Sequence, residues 1–227
     1  MSADGIGDRP LMRVAAVVLA AGASRRMGTN KLVLPVEGEP MVRRTVRRVM
    51  DAGCEPVVVV TGHEPERVRE ALVGLDVIYA TSPDPTGPTS ASLHAGLHAL
   101  PDDADATLVM LSDMVQVTAS MMRALVEGVA SGEEPLGVSR YGDVLAPPLV
   151  FRRALWPELL AWHGEGCGKA VVRAHEAEAR MHEWPVEALQ DVDTPEEYEG
   201  VRSQRSGSLG SHYGRGARAR AYPEFCV

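Results

Sequence analysis

The sequence predicts an α/β fold in which a mostly parallel sheet is covered by helices on both faces. Three observations carry this. Strand-like runs alternate with helical segments between residues 13 and 131, the runs are apolar from end to end, and the first of them leads directly into a glycine-containing loop. A strand buried on both faces reads as a continuous β-branched run, whereas a half-exposed strand alternates.

Residues 14–19 are the first such run, ending at Ala20-Ala21-Gly22. Pro40 then opens a helix that extends to about Ala52, where Gly53 stops it. Residues 56–61 form a second apolar strand, followed by a helix over about 65–73 and a third strand over 76–80. The Pro-rich stretch 82–88 is a loop. Leu93, Leu97 and Leu100 give residues 90–100 a helical period. Residues 107–111 are a fourth strand ending at Ser112-Asp113, and Thr118 is placed to cap a helix over 118–130. Beyond that point the pattern is mixed: strands at 136–140, 149–151 and 180–184, helices near 154–162 and 168–177, and a last helix opening at Thr194-Pro195. Trp156 and Trp162 are expected in the core. Residues 11–202 are expected as one domain, and 203–227, rich in Ser, Gly and Arg, as an unpacked extension.

Composition narrows the function classes. With 45% hydrophobic residues and a formal charge of −8, the chain suits a soluble globular protein. It lacks the basic footprint of a nucleic-acid or membrane-surface binder. Cys54, Cys167 and Cys226 lie far apart with no CxxC pair, so neither a disulfide framework nor a zinc site is expected, and a reducing cytoplasm fits. The seven histidines show no metal spacing beyond His94 and His98 on one helix. Residues 1–10 contain no apolar targeting core, and the longest apolar stretch, 14–21, is far shorter than the roughly 20 residues of a membrane span.

The chemistry concentrates in residues 19–31, Leu-Ala-Ala-Gly-Ala-Ser-Arg-Arg-Met-Gly-Thr-Asn-Lys. A loop at the carboxyl end of the first strand of a parallel sheet lies where such folds bind ligands. Its small residues let backbone approach a bulky ligand, and its N–H groups can receive phosphate oxygens. Arg25, Arg26 and Lys31 add three cations. Two better-known phosphate loops are excluded: Gly28 is followed by Thr-Asn-Lys rather than the Lys-Ser/Thr of Walker A, and GxGxxG is absent.

The loop resembles the signature LAAGxSxRMGxxK of the molybdenum-cofactor nucleotidyltransferases and related NTP transferases, and the likeness continues into Leu34-Pro35, Gly38 and Pro40-Met41. The resemblance implies a Rossmann-like three-layer αβα sandwich of the nucleotide-diphospho-sugar transferase type. It implies that Leu19, Ala20, Ala21, Gly22 and Ser24 line the nucleotide, and that Arg25 and Lys31 grip its triphosphate as catalytic residues. Thr61-Gly62 matches a cleft-facing Thr-Gly pair, and residues 87–93 resemble, with a shifted glycine, a helix start whose counterparts of Ser90 and Ser92 contact the nucleotide.

Two acidic segments complete the resemblance. Leu111-Ser112-Asp113-Met114 is similar to Leu-Ala/Gly-Asp-Met-Pro, with Val115 in place of the proline, which makes Asp113 a catalytic carboxylate and Mg2+ ligand. Asp191-Val192-Asp193-Thr194-Pro195-Glu196 is similar to Asp-Ile-Asp-Thr-Pro-Glu. Asp191 and Asp193 share one side of an extended stretch, and Asp193 is the preferred second Mg2+ ligand, with Asp191 the alternative. Capping of the last helix by Asp193 or Thr194 is the competing reading.

The implied reaction is Mg2+-dependent transfer of a nucleotidyl group from a nucleoside triphosphate to a small phosphorylated acceptor. Ala-Ala-Gly in the loop resembles the cytidylyl-transferring branch, which favours CTP. Molybdopterin is one acceptor among others, including a phosphonate, because residues 146–148 and 164–169 depart from the family pattern. Two alternatives stand beside this reading. One is a non-catalytic maturation factor of the same fold that serves an apo-enzyme partner. The other is a glycosyltransferase, disfavoured because its Asp-x-Asp should follow the middle strand, where this chain has Ser112-Asp113-Met114, and the Asp-x-Asp at 191–193 falls too late.

Overall fold

A computed structural model describes residues 12–24 and 26–203. Arg25 and the tail from residue 204 onward lie outside the described residues; the backbone of Ser203 ends the last helix.

The central sheet has seven strands. In chain order they are β1 (Val14–Ala20), β4 (Val57–Thr61), β5 (Ile78–Thr81), β6 (Ala106–Leu111), β7 (Leu136–Tyr141), β8 (Val144–Arg152) and β9 (Arg180–Trp184); β2 (Pro35–Val36) and β3 (Glu39–Pro40) form a separate hairpin. The spatial order is β5-β4-β1-β6-β8-β7-β9. Only β8 runs against its neighbours. Every residue of β1 is buried, as its uniform apolar run requires.

Helices α1 (Met41–Asp51), α2 (Pro65–Ala71) and α4 (Ala119–Ser131) cover one face of the sheet. Helices α3 (Thr89–His98), α5 (Trp156–Ala161) and α6 (Cys167–Ala174) cover the other. Alternation along β1 divides the core: Ala16 and Val18 pack with Val42, Val46 and Met122, while Ala15 and Val17 pack with Leu93, Leu97 and Leu159. The result is a three-layer αβα sandwich. A third, smaller cluster joins Val192, Tyr198 and Val201 to Val36, Met41 and Val115, and so seats α7 (Pro195–Ser203) against the β2–β3 hairpin and the turn after β6.

The structure corrects two expectations. The strand expected at 149–151 is part of the longer β8, because Pro147 and Pro148 interrupt the β-forming pattern while the backbone stays extended across them. Trp162 is 42% exposed, whereas Trp156 is buried. Helix α5 ends at Ala161, so Trp162 lies past the face that packs on the sheet.

Register determines what meets at the top of the sheet. Ala20 pairs with Thr61, and Leu19 with Leu111. The loops after β1, β4 and β6 therefore start level with one another, at the carboxyl edge where parallel sheets open a crevice.

Candidate active site

At that edge lies a cleft of about 390 Å³, lined by Leu19, Gly22, Ala23, Ser24, Arg26, Lys31, Leu32, Leu111, Ser112, Asp113 and Asp193, with Pro85, Thr86 and Thr89 across from them. Lys31 is its centre. The short helical turn Lys31–Val33 begins at Asn30, whose buried side chain accepts from the Leu32 N–H and donates to the His63 carbonyl. The Lys31 N–H donates to Ser24 Oγ at 3.1 Å. The backbone on either side of the lysine is thus held from within the loop.

The Lys31 ammonium donates to Asp113 at 2.7 Å and to Asp193 at 2.5 Å, and Arg26 donates to the other oxygen of Asp193 at 2.5 Å. Two carboxylates more than 70 residues apart in sequence converge on one cation. Lys31 is 7% exposed. Burial would lower its pKa, but Asp113 and then Asp193 outweigh burial and hold the ammonium above the ordinary lysine range. Burial alone would raise Asp193; the hydrogen bond and charge of Lys31, followed by Arg26, keep its carboxyl below the usual range. Lys31 and Asp193 are therefore both charged at neutral pH. The chain has only two lysines, Lys31 and Lys169, among 23 Lys and Arg residues. The ammonium is a compact point charge with three donors, and it gives one to each carboxylate.

The carboxylates are held by different devices. Ser112 Oγ donates to the Leu19 carbonyl, and Thr45 of α1 donates to the Ser112 carbonyl, so the residue before Asp113 is tied to β1 and to α1. At the other carboxylate, the roles that the sequence leaves undivided are separated. Thr194 Oγ1 accepts from the Glu197 N–H, while Glu197 accepts from the N–H groups of Asp193 and Thr194. That is a capping box. Thr194 takes the cap, and the Asp193 carboxylate is left for Lys31. Asp191 does not line the cleft.

The remaining predicted residues divide. Leu19, Gly22 and Ser24 line the cleft, while Ala20 and Ala21 are buried behind it. Thr61 is fully buried and donates to the Ala80 carbonyl. At Gly62 a Cβ would lie 2.7 Å from the Ala21 carbonyl oxygen, so this glycine allows two loops to touch. Ser90 Oγ accepts from the Gly164 N–H, and Ser92 donates to Ser82. Neither serine lines the cleft. Arg26 is the residue that sequence reasoning passed over in favour of Arg25. The signal is in the signature LAAGxSxRMGxxK, whose arginine falls on Arg26 and not on Arg25 when it is laid on residues 19–31; its partner, an aspartate 167 positions later, is set by the fold.

Oxygen-only donors suit a hard divalent cation. Asp113 and Asp193 already share one positive charge, and each is about 21% exposed toward the cleft. This is the donor set Mg2+ accepts when phosphates and water supply the rest. Among the described residues no group of three or more His, Cys, Asp or Glu side chains forms a metal cluster. His94, for example, bonds the Leu159 carbonyl. No helix of the described residues is long and apolar enough to cross a membrane.

Comparison with known proteins agrees with this geometry. Residues 16–179 match the family model of the MobA-like NTP transferase domain. The chain is 30% identical over 205 residues to the purine catabolism protein PucB of Bacillus subtilis, covering 84% of this chain and 96% of that protein. It is likewise 30% identical over 200 residues to a probable molybdenum cofactor guanylyltransferase of Synechococcus elongatus, covering 84% and 99%. A 39% match to the bifunctional protein GlmU of Cupriavidus pinatubonensis covers 54% of this chain and only 26% of that longer protein. Among solved structures, Rv0371c of Mycobacterium tuberculosis superposes with a TM-score of 0.75 at 26% identity, over 85% of this chain and 98% of that one. A manganese complex of Rv0371c superposes with a TM-score of 0.67. The chain belongs to the MobA-like NTP transferase domain family and is a transferase of the nucleotidyl kind.

Proposed function

We propose that the protein moves a nucleoside monophosphate, CMP first among the four, from the triphosphate to a small phosphorylated acceptor in the cytoplasm, with Mg2+ held by Asp113 and Asp193. The observation that carries this reading is the convergence of Lys31, Asp113 and Asp193 at the mouth of a cleft walled by the glycine loop. An acceptor phosphate oxygen bonds to the α-phosphorus, the bond to the β-phosphate bridging oxygen breaks, and pyrophosphate leaves with the electron pair. Such a reaction needs positioning and charge neutralisation more than a covalent nucleophile.

Each group has a part. The backbone of Gly22, with Ala20 and Ala21 packed behind it, approaches base and ribose, and Ser24, Arg25, Arg26 and Lys31 receive the triphosphate. Mg2+ bound at the two carboxylates would neutralise charge on the phosphates and leaving group. Molybdopterin is the first acceptor to try, and an apo-enzyme that takes up the product is the partner it implies. CTP is preferred because Ala20-Ala21-Gly22 resembles the cytidylyl-transferring branch.

The test is a pyrophosphate-release screen of the four NTPs against phosphorylated acceptors with Mg2+. CTP with one acceptor is expected to release pyrophosphate, and Asp113→Asn to abolish release. Turnover with GTP alone would overturn the choice of base. Silence under every pairing would favour a non-catalytic maturation factor.

A further inference from the structure

The turn that carries Asp113 is held from outside the cleft. Residues 112–117 connect β6 to the Thr118 cap of α4 and contain no proline. Their internal bonds are two, Val115 N–H to the Asp113 carbonyl at 2.9 Å and Val117 N–H to the Met114 carbonyl at 3.3 Å. The carbonyls of Val115 and Val117 point the other way. Both accept from Nη1 of Arg48, each at 2.7 Å, across 67 and 69 residues of sequence. Thr45, one turn earlier on the same face of α1, donates to the Ser112 carbonyl at 3.1 Å. The two α1 residues therefore grip the backbone on both sides of Asp113.

The surroundings make that grip consequential. Met114, Val115 and Val117 are 3%, 3% and 1% exposed, so water is poorly placed to replace a lost donor. A turn with no proline, and only two bonds of its own, has other backbone conformations open to it once the external donor is gone. A carboxylate moved by as little as about 1 Å is enough to lose most of a charge-neutralising arrangement.

We propose that Arg48 is a positioning residue for transfer. By holding the Val115 and Val117 carbonyls, it sets the Asp113 carboxylate at the spacing from Asp193 that the cation requires. The inference rests on the role proposed above for Asp113 and adds a residue that touches neither nucleotide nor metal.

The test compares Arg48→Met, which keeps an apolar stem, with Arg48→Lys, which keeps a cationic donor, and with Asp113→Asn. Manganese binding to the full chain is read by electron paramagnetic resonance, without nucleotide, at a temperature where circular dichroism finds each variant folded. Arg48→Met is expected to weaken manganese binding about tenfold and to lower kcat about 10- to 100-fold, with KM for the nucleotide changed less than about threefold. Arg48→Lys is expected within about threefold of wild type on both readouts. Arg48→Gln, with a polar head for the half-buried site, carries the Met expectation should Arg48→Met not fold. A lowered Tm with manganese affinity and kcat within about twofold of wild type would show Arg48 to be structural only and overturn the proposal. The Asp113→Asn arm separates the two failures. If it binds manganese like wild type, the carboxylate's proposed role fails, and the Arg48 proposal with it. If it loses binding while Arg48→Met does not, only Arg48 is refuted.

Discussion

Lys31 shows how one side chain can serve the fold and the chemistry together. Its ammonium joins residues that belong to three separate segments, and nearly all of its surface is buried. Lys31→Met would leave Asp113 and Asp193 facing each other with Arg26, among the described residues, as the remaining cation on Asp193. Breaking a mostly buried pair in this way is expected to cost about 3 kcal/mol in metal-free buffer, measured by urea denaturation. The transfer rate should fall about 100-fold or more, since charge stabilisation at the phosphates goes with it. A variant as stable and active as wild type would contradict the role assigned here. At Gly96 the constraint is space. A Cβ there would lie 2.4 Å from Val17 Cγ1 and 3.0 Å from Val60 Cγ2. Alanine is the better helix former by about 1 kcal/mol, but overpacking a core costs about 1–3 kcal/mol. Gly96→Ala is therefore expected to lower stability, and a raised Tm would show that α3 shifts at little cost.

Between elements, α5 and α6 are joined by a contact that responds to pH. His175, just past α6, bonds Glu158 of α5 at 2.9 Å, with Glu178 3.5 Å from its other ring nitrogen. The hydrogen bond and charge of Glu158 outweigh burial and raise the His175 pKa above the ordinary 6.5. The sign follows from linkage. A base raised in the folded state contributes stability fully below about 6.5, and this is lost as pH rises through the folded value. His182 has the opposite sign. Burial, with Arg180 nearby, lowers its pKa, so its contribution is present above about 6.5 and is lost as pH falls. Glu158→Gln is expected to bring the His175 titration, followed by NMR, back toward 6.5 and to leave His182 unmoved. A His175 titration unchanged by Glu158→Gln would reject the pairing. Most elements were legible in the sequence because their periods are clear: β1 and β4 from unbroken valine and alanine runs, α4 from its Thr118 cap. The length of β8 was not, because proline breaks the local pattern while β7 pairs with the chain on either side of the two prolines, at 144–146 and at 149–151.

Across the whole molecule, the site depends on a segment beyond the catalytic sheet. The family match ends at residue 179, yet Asp193 comes from the stretch before α7. Helix α7 and the residues before it are seated beside the cleft by Val192, Tyr198 and Val201, which pack on Val36, Met41 and Val115, and Tyr198 donates to the Pro35 carbonyl at 2.8 Å. A chain truncated after Gln190 keeps all seven strands of the main sheet. It is expected to remain folded by circular dichroism at reduced Tm, because Val36, Met41 and Val115 lose their cover. Its transfer rate should fall about 100-fold or more for want of Asp193. Full activity in the truncated chain would remove Asp193 from the site.

By itself the sequence determined the layers, the parallel sheet, the glycine loop and its membership in a nucleotidyl-transferring family. Those follow from periodicity and from a contiguous motif, both of which are local. Tertiary structure alone decided how the polar groups are shared out. It turned Arg26 to Asp193, gave Thr194 the cap and Asp193 the lysine, and sent the hydroxyls of Thr61, Ser90 and Ser92 to partners outside the cleft. The physical reason is that a hydrogen bond is specific to distance and angle, and those are fixed by strand register and helix docking between residues far apart in the chain.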